Sequence, residues 1–515
     1  MAELLDTMTV AASAERQKLQ RHFGRFDILF FLICTIVGVD TIATVAEGGG
    51  ESFTWLLVYA IVFFVPQALL FAELGTAFPQ EGGPYLWTRL AFGHLAGAVN
   101  NLLYWVTNPV WIGGSLAVSC IGAIQVFFNG GNSLSAPMAY VVSLVFVWLT
   151  IVAAITSFRV GKWLPTAGAF ARFLLLGLFS FSVILYGLQH GAQGLNHPGD
   201  YKPTVSGFVL LVGVLLFNYV GFELPNSAGE EMINPQRDVP FAIARSAVGS
   251  VLLYALPVIG ILIALPPSAI SNFSGFVSAI QDVFTVYGGH VAADGTATLS
   301  GAGLVLGDAC AILFILCLIT SGATWIMGSD RALAVSCYDG SGPRSLGVIN
   351  AKLGTPVRVN IFSGIVATVV VVLATQITSG NAEKYFSAVL GVTISTTLIS
   401  YLLIYPALWK LRASHPEVSR PFRMPLYRTL TVVLMLLVAI ASVQLIAPGA
   451  GYHWFSSDFA PTSWTYGERF AYLWTELIPV LVFIAVGVLF WWLGRKTRAE
   501  IAAVTAPGAA AGEEA

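Results

Sequence analysis

Apolar residues fall in windows of about 20, the length that crosses a bilayer as a helix, each bounded by charge, Pro or Gly. The windows lie near 27–46, 53–75, 96–127, 137–157, 163–189 and 204–228 in the first half. In the second they lie near 240–265, 304–328, 358–379, 385–409, 427–447 and 470–494. The pattern predicts twelve transmembrane helices. Loop charge supports that count. With both termini cytoplasmic, only Lys202, Lys384 and Arg469 fall in loops on the outer side, and one missed span would invert every later loop.

Within these spans charge is absent over long runs, including Leu90–Phe158 and Thr429–Ser457. Composition agrees: of 515 residues 56% are hydrophobic and 10% charged, which leaves too little polar surface for a water-soluble fold. The expected solvent is a lipid bilayer, and the expected class is an all-α polytopic membrane protein. A net charge of -2 gives no basic surface for nucleic acid. The five cysteines form no CxxC pair, and the seven histidines lie in tails, loops or helix ends, so neither a metal nor another cofactor is expected. The first 26 residues have no apolar core with a cleavage site, which leaves insertion to the first helix. The Ala-, Gly- and Glu-rich end, within 495–515, is expected to be a disordered cytoplasmic tail.

Two spans break the pattern at mid-membrane. The first contains Val37-Gly38-Val39-Asp40 and the sixth Val220-Gly221-Phe222-Glu223, followed by Pro225. Mid-helix Gly is unfavourable, and an acid at membrane depth costs roughly 2.5–3.5 kcal/mol on insertion scales. Both are tolerated where a helix unwinds beside a polar cavity, and matched Gly-interrupted segments in two halves point to a substrate site between repeats. The expected site therefore lies between Gly38 and Gly221. The alternative is that Asp40 and Glu223 pair with polar groups only to hold helices together.

Further motifs are Glu73-Leu74-Gly75 with Phe78-Pro79-Gln80-Glu81-Gly82-Gly83-Pro84-Tyr85, and Glu230-Glu231 with Asn234-Pro235. To these are added Ser329-Asp330-Arg331, Gly354-Thr355-Pro356 and Arg420-Pro421-Phe422-Arg423. In this order the chain resembles the amino acid, polyamine and organocation permease superfamily over about Phe26–Pro425. The resemblance implies two inverted five-helix repeats, 27–189 and 204–409, with helices 427–494 added and cytoplasmic segments 1–26 and 495–515 at the ends. It implies alternating access in a cell membrane. No Gly-rich ATP-binding loop occurs, so gradients or exchange supply the energy.

Family members for amino acids carry a Gly-small-Gly stretch in the first helix for the substrate carboxylate. Here the second Gly position is Asp40, which suits an ammonium group instead. The resemblance implies substrate contacts by Gly38, Val39, Asp40, Thr41, Phe217, Asn218, Tyr219, Gly221 and Glu223. Glu223 is expected to sense or carry a coupling proton. Arg172 falls near the space where sodium-coupled relatives hold their cation, and is expected either to act there as a fixed charge or to snorkel to the cytoplasmic face. The favoured function is a permease for polyamines or related organocations. The alternative is an amino-acid permease or exchanger using Asn218, Thr41 and backbone amides for the carboxylate. A channel lacks a repeated filter loop here, and an intramembrane enzyme has no mid-membrane histidine, while Asp40 and Glu223 lack the Tyr-Asp and Gly-x-Gly-Asp contexts of an acid protease pair.

Overall fold

The structure is a computed structural model that describes residues 23–160, 163–191, 198–265, 270, 274–292, 296–377, 381–456, 459, 461 and 463–505. The short N-terminal segment expected before the first helix lies almost wholly outside the described residues. Phe23 begins the described chain and bridges to Met232.

Among the described residues ten helices are long and apolar enough to cross a membrane. They include α3 (Gly49–Ala77), α4 (Pro84–Phe128), α6 (Trp163–His190), α8 (Pro235–Ala264), α10 (Gly301–Ser341) and α12 (Ala382–Ser414). Helices α5 (Ala136–Val160), α11 (Val357–Ile377), α13 (Tyr427–Ile446) and α14 (Arg469–Leu493) complete the set. The two crossings absent from it are those whose sequence is interrupted. The first is split into α1 (Arg25–Ile36) and α2 (Ile42–Glu47). The sixth is split into α7 (Val205–Phe217) and a 3₁₀ segment, Leu224–Glu231, with Pro225 in its first turn. Each piece is too short to span alone, and each break leaves about one turn of backbone without helical bonds.

Among the described residues sheet is confined to a hairpin, β1 (Gly289–Val291) against β2 (Ala297–Leu299), which with the short helix α9 (Gly275–Val283) lies between α8 and α10. Apolar side chains such as Leu436, Leu481 and Ile184 are exposed around the outside, as a lipid-facing belt requires. The tail expected to be disordered instead begins with helix α15 (Arg495–Thr505), held where Arg498 donates to the carbonyls of Gly340 and Trp491. Residues 506–515 lie outside the described residues.

The sequence motifs converge on the face that carries Phe23 and α15. Arg331 at the end of α10 sits between Glu81 at 2.6 Å and Glu231 at 2.8 Å, and also donates to Gly354 O. Arg412 pairs with Glu73, whose second oxygen also accepts the Met424 amide. Asp339 accepts from Tyr85 and pairs with Arg89. These clusters stitch loops and helix ends together on one side of the bundle; they are not part of the central site.

Candidate functional site

The two breaks lie side by side. Gly221 has φ 123°, and a Cβ there would come within 2.7 Å of Thr35 Cγ2, so both the conformation and the approach to α1 require glycine. Trp325 of α10 closes one side by donating to Thr35 O.

Asp40 lies in the first break and is buried. Its Oδ2 accepts from Trp111 Nε1 at 2.8 Å and Ser115 Oγ at 2.5 Å, while Oδ1 has no hydrogen-bond partner among the described residues. Trp111 immediately precedes a π turn in α4, Ile112–Leu116, and Ser115 lies within it. The extra residue in such a turn re-aims side chains, which is why π turns recur at functional positions. The turn packs closely, since Gly113 O accepts from Tyr385 at 2.5 Å.

Glu223 follows the second break and is buried as well. Oε1 accepts from Tyr104 at 3.1 Å; Oε2 makes no well-formed hydrogen bond among the described residues, and the Tyr401 hydroxyl stands near the carboxylate. Tyr104 and Trp111 are seven residues apart on α4, two turns or about 10 Å. Between them a row of rings runs from one acid to the other. Phe217 meets Trp111 at 6.1 Å, Trp111 meets Trp325 at 6.4 Å, and Trp325 meets Tyr104 at 6.4 Å.

Asn218 ends α7 with both side-chain polar atoms unpartnered among the described residues, and Asn108 Oδ1 is unpartnered too. Thr41 donates to Gly38 O, and the Gly38 amide donates to Tyr254 Oη, which donates to Ile36 O. Val39 is buried at the break. Tyr219 turns elsewhere: its hydroxyl donates to Leu56 O and its ring stacks on Phe64, so it braces α3 rather than joining the acids.

Arg172 does not snorkel. It is fully buried and donates to Val37 O at the first break, Gly168 O, Cys317 O, Thr320 Oγ1 and Ser321 Oγ. Its guanidinium thus consumes the oxygens that α1 and α10 present to that space. Trp111, Ser115 and Trp325 were not singled out by sequence reasoning. In charge-free spans an indole reads as packing, and the π turn has no sharper signal than Gly113-Gly114. Among the described residues no group of three or more His, Cys, Asp or Glu side chains could hold a metal ion.

The model of the amino acid permease family matches residues 23–483. A probable agmatine/putrescine antiporter of Lactococcus lactis is 28% identical over 409 residues, covering 78% of this chain and 82% of the relative. An uncharacterized transporter of Legionella pneumophila is 28% identical over 78% of this chain and 83% of its own length. The branched-chain amino acid permease of Bacillus subtilis is 24% identical over 81% of this chain and 86% of its own length. The chain belongs to the amino acid permease family, a family of membrane transporters for amine-bearing solutes.

Proposed function

We propose that this amino acid permease is a secondary carrier of linear organic amines with two positive charges, of the polyamine type, working by alternating access with proton coupling or exchange. One observation carries the reading. At paired helix breaks, Asp40 and Glu223 each keep an oxygen without a good partner at the two ends of a continuous row of rings. A carboxylate at each end offers charge-assisted hydrogen bonds to an ammonium, and the rings between them offer cation–π contact. Among the described residues the unpartnered atoms at this site include carboxylate and amide oxygens of Asp40, Glu223, Asn218 and Asn108, beside two donors, the Asn218 amide nitrogen and the Tyr401 hydroxyl. The Gly38 amide is occupied by Tyr254, which weakens the case for carboxylate recognition. The name of the Lactococcus relative points the same way.

Glu223 is the group that senses or carries a coupling proton, and Arg172 holds a fixed charge where a sodium ion would otherwise bind, so sodium plays no part. The helices form two inverted five-helix repeats, 27–189 and 204–409, with 427–494 outside them. The terminal face is cytoplasmic, in keeping with the loop charges, and the membrane is the cell membrane.

The test is uptake of labelled putrescine and agmatine into proteoliposomes, beside neutral and cationic amino acids, with and without sodium and an inward proton gradient. Diamine uptake that falls at least tenfold in Asp40→Asn and ignores sodium is expected. Amino-acid uptake without diamine uptake would show instead that the site reads a carboxylate through Asn218 and Thr41.

A further inference from the structure

A cavity of about 390 Å³ lies toward the face opposite Phe23 and α15, bordered by α2 and α7, the outer halves of the broken helices, and by α12 and the end of α13. Its floor is close to the central site. Val214 lines it, and the Val214 carbonyl accepts the amide of Asn218 one turn below. Ile394 lines it too, seven residues or about 10 Å along α12 from Tyr401.

The walls have the chemistry of a cation site. Glu47 brings a carboxylate at the end of α2, and Phe386, Phe459 and Tyr472 bring aromatic rings. Behind the wall stands Glu476 of α14, one turn beyond Tyr472. It is fully buried, and neither carboxylate oxygen has a hydrogen-bond partner among the described residues. Its carboxylate packs directly on Gly391, a cavity-lining residue with no side chain to screen it. An uncompensated carboxylate at such a depth is strongly disfavoured, and a cation in the cavity offsets that cost. The nearest lysine on α12, Lys384, does not supply the charge, because it is engaged by Glu468 at 2.6 Å.

We propose that this cavity is an outer binding site for an organic ammonium, held between the wall that carries Glu47 and the wall backed by Glu476, one step before the Asp40 site. The proposal rests on the reading that the chain carries amines. It gives the carrier two amine sites in series, the outer one independent of Asp40.

Equilibrium binding of labelled putrescine and agmatine to the purified full chain tests it. Two sites per chain are expected in the wild type, one in Asp40→Asn, and one in the double variant Glu47→Gln with Glu476→Gln. A single site that vanishes in Asp40→Asn overturns the outer site and leaves the function standing. No saturable binding of either diamine overturns both. A second measurement covers a double variant that fails to fold. The five native cysteines are buried, so Val209→Cys in the cavity wall, placed in the Asp40→Asn background, gives one reactive thiol. Putrescine is expected to slow its reaction with a maleimide about tenfold; an unchanged rate overturns the proposal.

Discussion

Asp40 and Glu223 occupy equivalent places after two Val-Gly-x sequences, yet their surroundings differ. Asp40 takes two donors on one oxygen, and Trp111 and Ser115 fix its orientation. Glu223 takes the Tyr104 hydroxyl, with the Tyr401 hydroxyl also beside it, and is the acid proposed above to carry the proton. The wild type is therefore expected to change its diamine uptake rate with pH, whereas Glu223→Gln, if it transports, has a flat profile in the same proteoliposomes. A Gln variant that keeps the wild-type pH profile would remove Glu223 from the coupling step. Both acids were legible in the sequence because charge in an apolar span is conspicuous. Their partners were not, because Trp111, Trp325 and Tyr104 sit among aromatic residues that also serve packing.

At the scale of helices, the breaks themselves were legible. Glycine before an acid at mid-span signals unwinding, and Pro225 removes a donor where the second half restarts. What the pattern did not carry was the π turn in α4, which depends on close approach to α12, nor the end of the chain. The Arg-rich start of the tail folds as α15 because Arg498 finds carbonyls at Gly340 and Trp491, a tertiary contact that composition does not encode. The break at Gly221 makes a sharp prediction. Alanine there is strained by about 1–2 kcal/mol at positive φ and also meets Thr35, so Gly221→Ala is expected to lose transport and much of its folded yield. Gly177→Ala, where an added Cβ meets nothing within 4 Å, is expected to transport as the wild type does. Equal activity of the two variants in one uptake assay would contradict the need for glycine at the break.

For the whole molecule, the far face is held partly by α9, whose Asp282 lies outside the membrane-crossing helices. Burial pushes its carboxyl up to about 7. A carboxyl raised on folding binds more protons in the folded state than in the unfolded one between the ordinary carboxylate range and that value. Stability is then greatest at low pH and declines as pH rises toward about 7. Thermal unfolding in detergent is expected to move to lower temperature between pH 5 and pH 7.5, with a smaller change in Asp282→Asn. An identical pH slope in both proteins would mean that other groups set it. The lipid-facing belt and the ten long apolar helices among the described residues were readable at this scale because a bilayer imposes length and polarity on every span. The convergence of Glu81, Glu231 and Arg331 from three distant motifs was not, since nothing in their spacing says they meet.

Arg172 leads to an electrical consequence. A guanidinium tethered to α6 never leaves with the cargo, so the protein contributes the same fixed charge on both strokes of a cycle. If two diamines of equal charge exchange, and Glu223 carries the same number of protons in each direction, no net charge crosses the bilayer. Such a carrier is silent in a current recording and indifferent to voltage, and it runs down the ratio of the two solutes alone. Diamine exchange in vesicles clamped at 0 and at -100 mV is expected to proceed at equal rates.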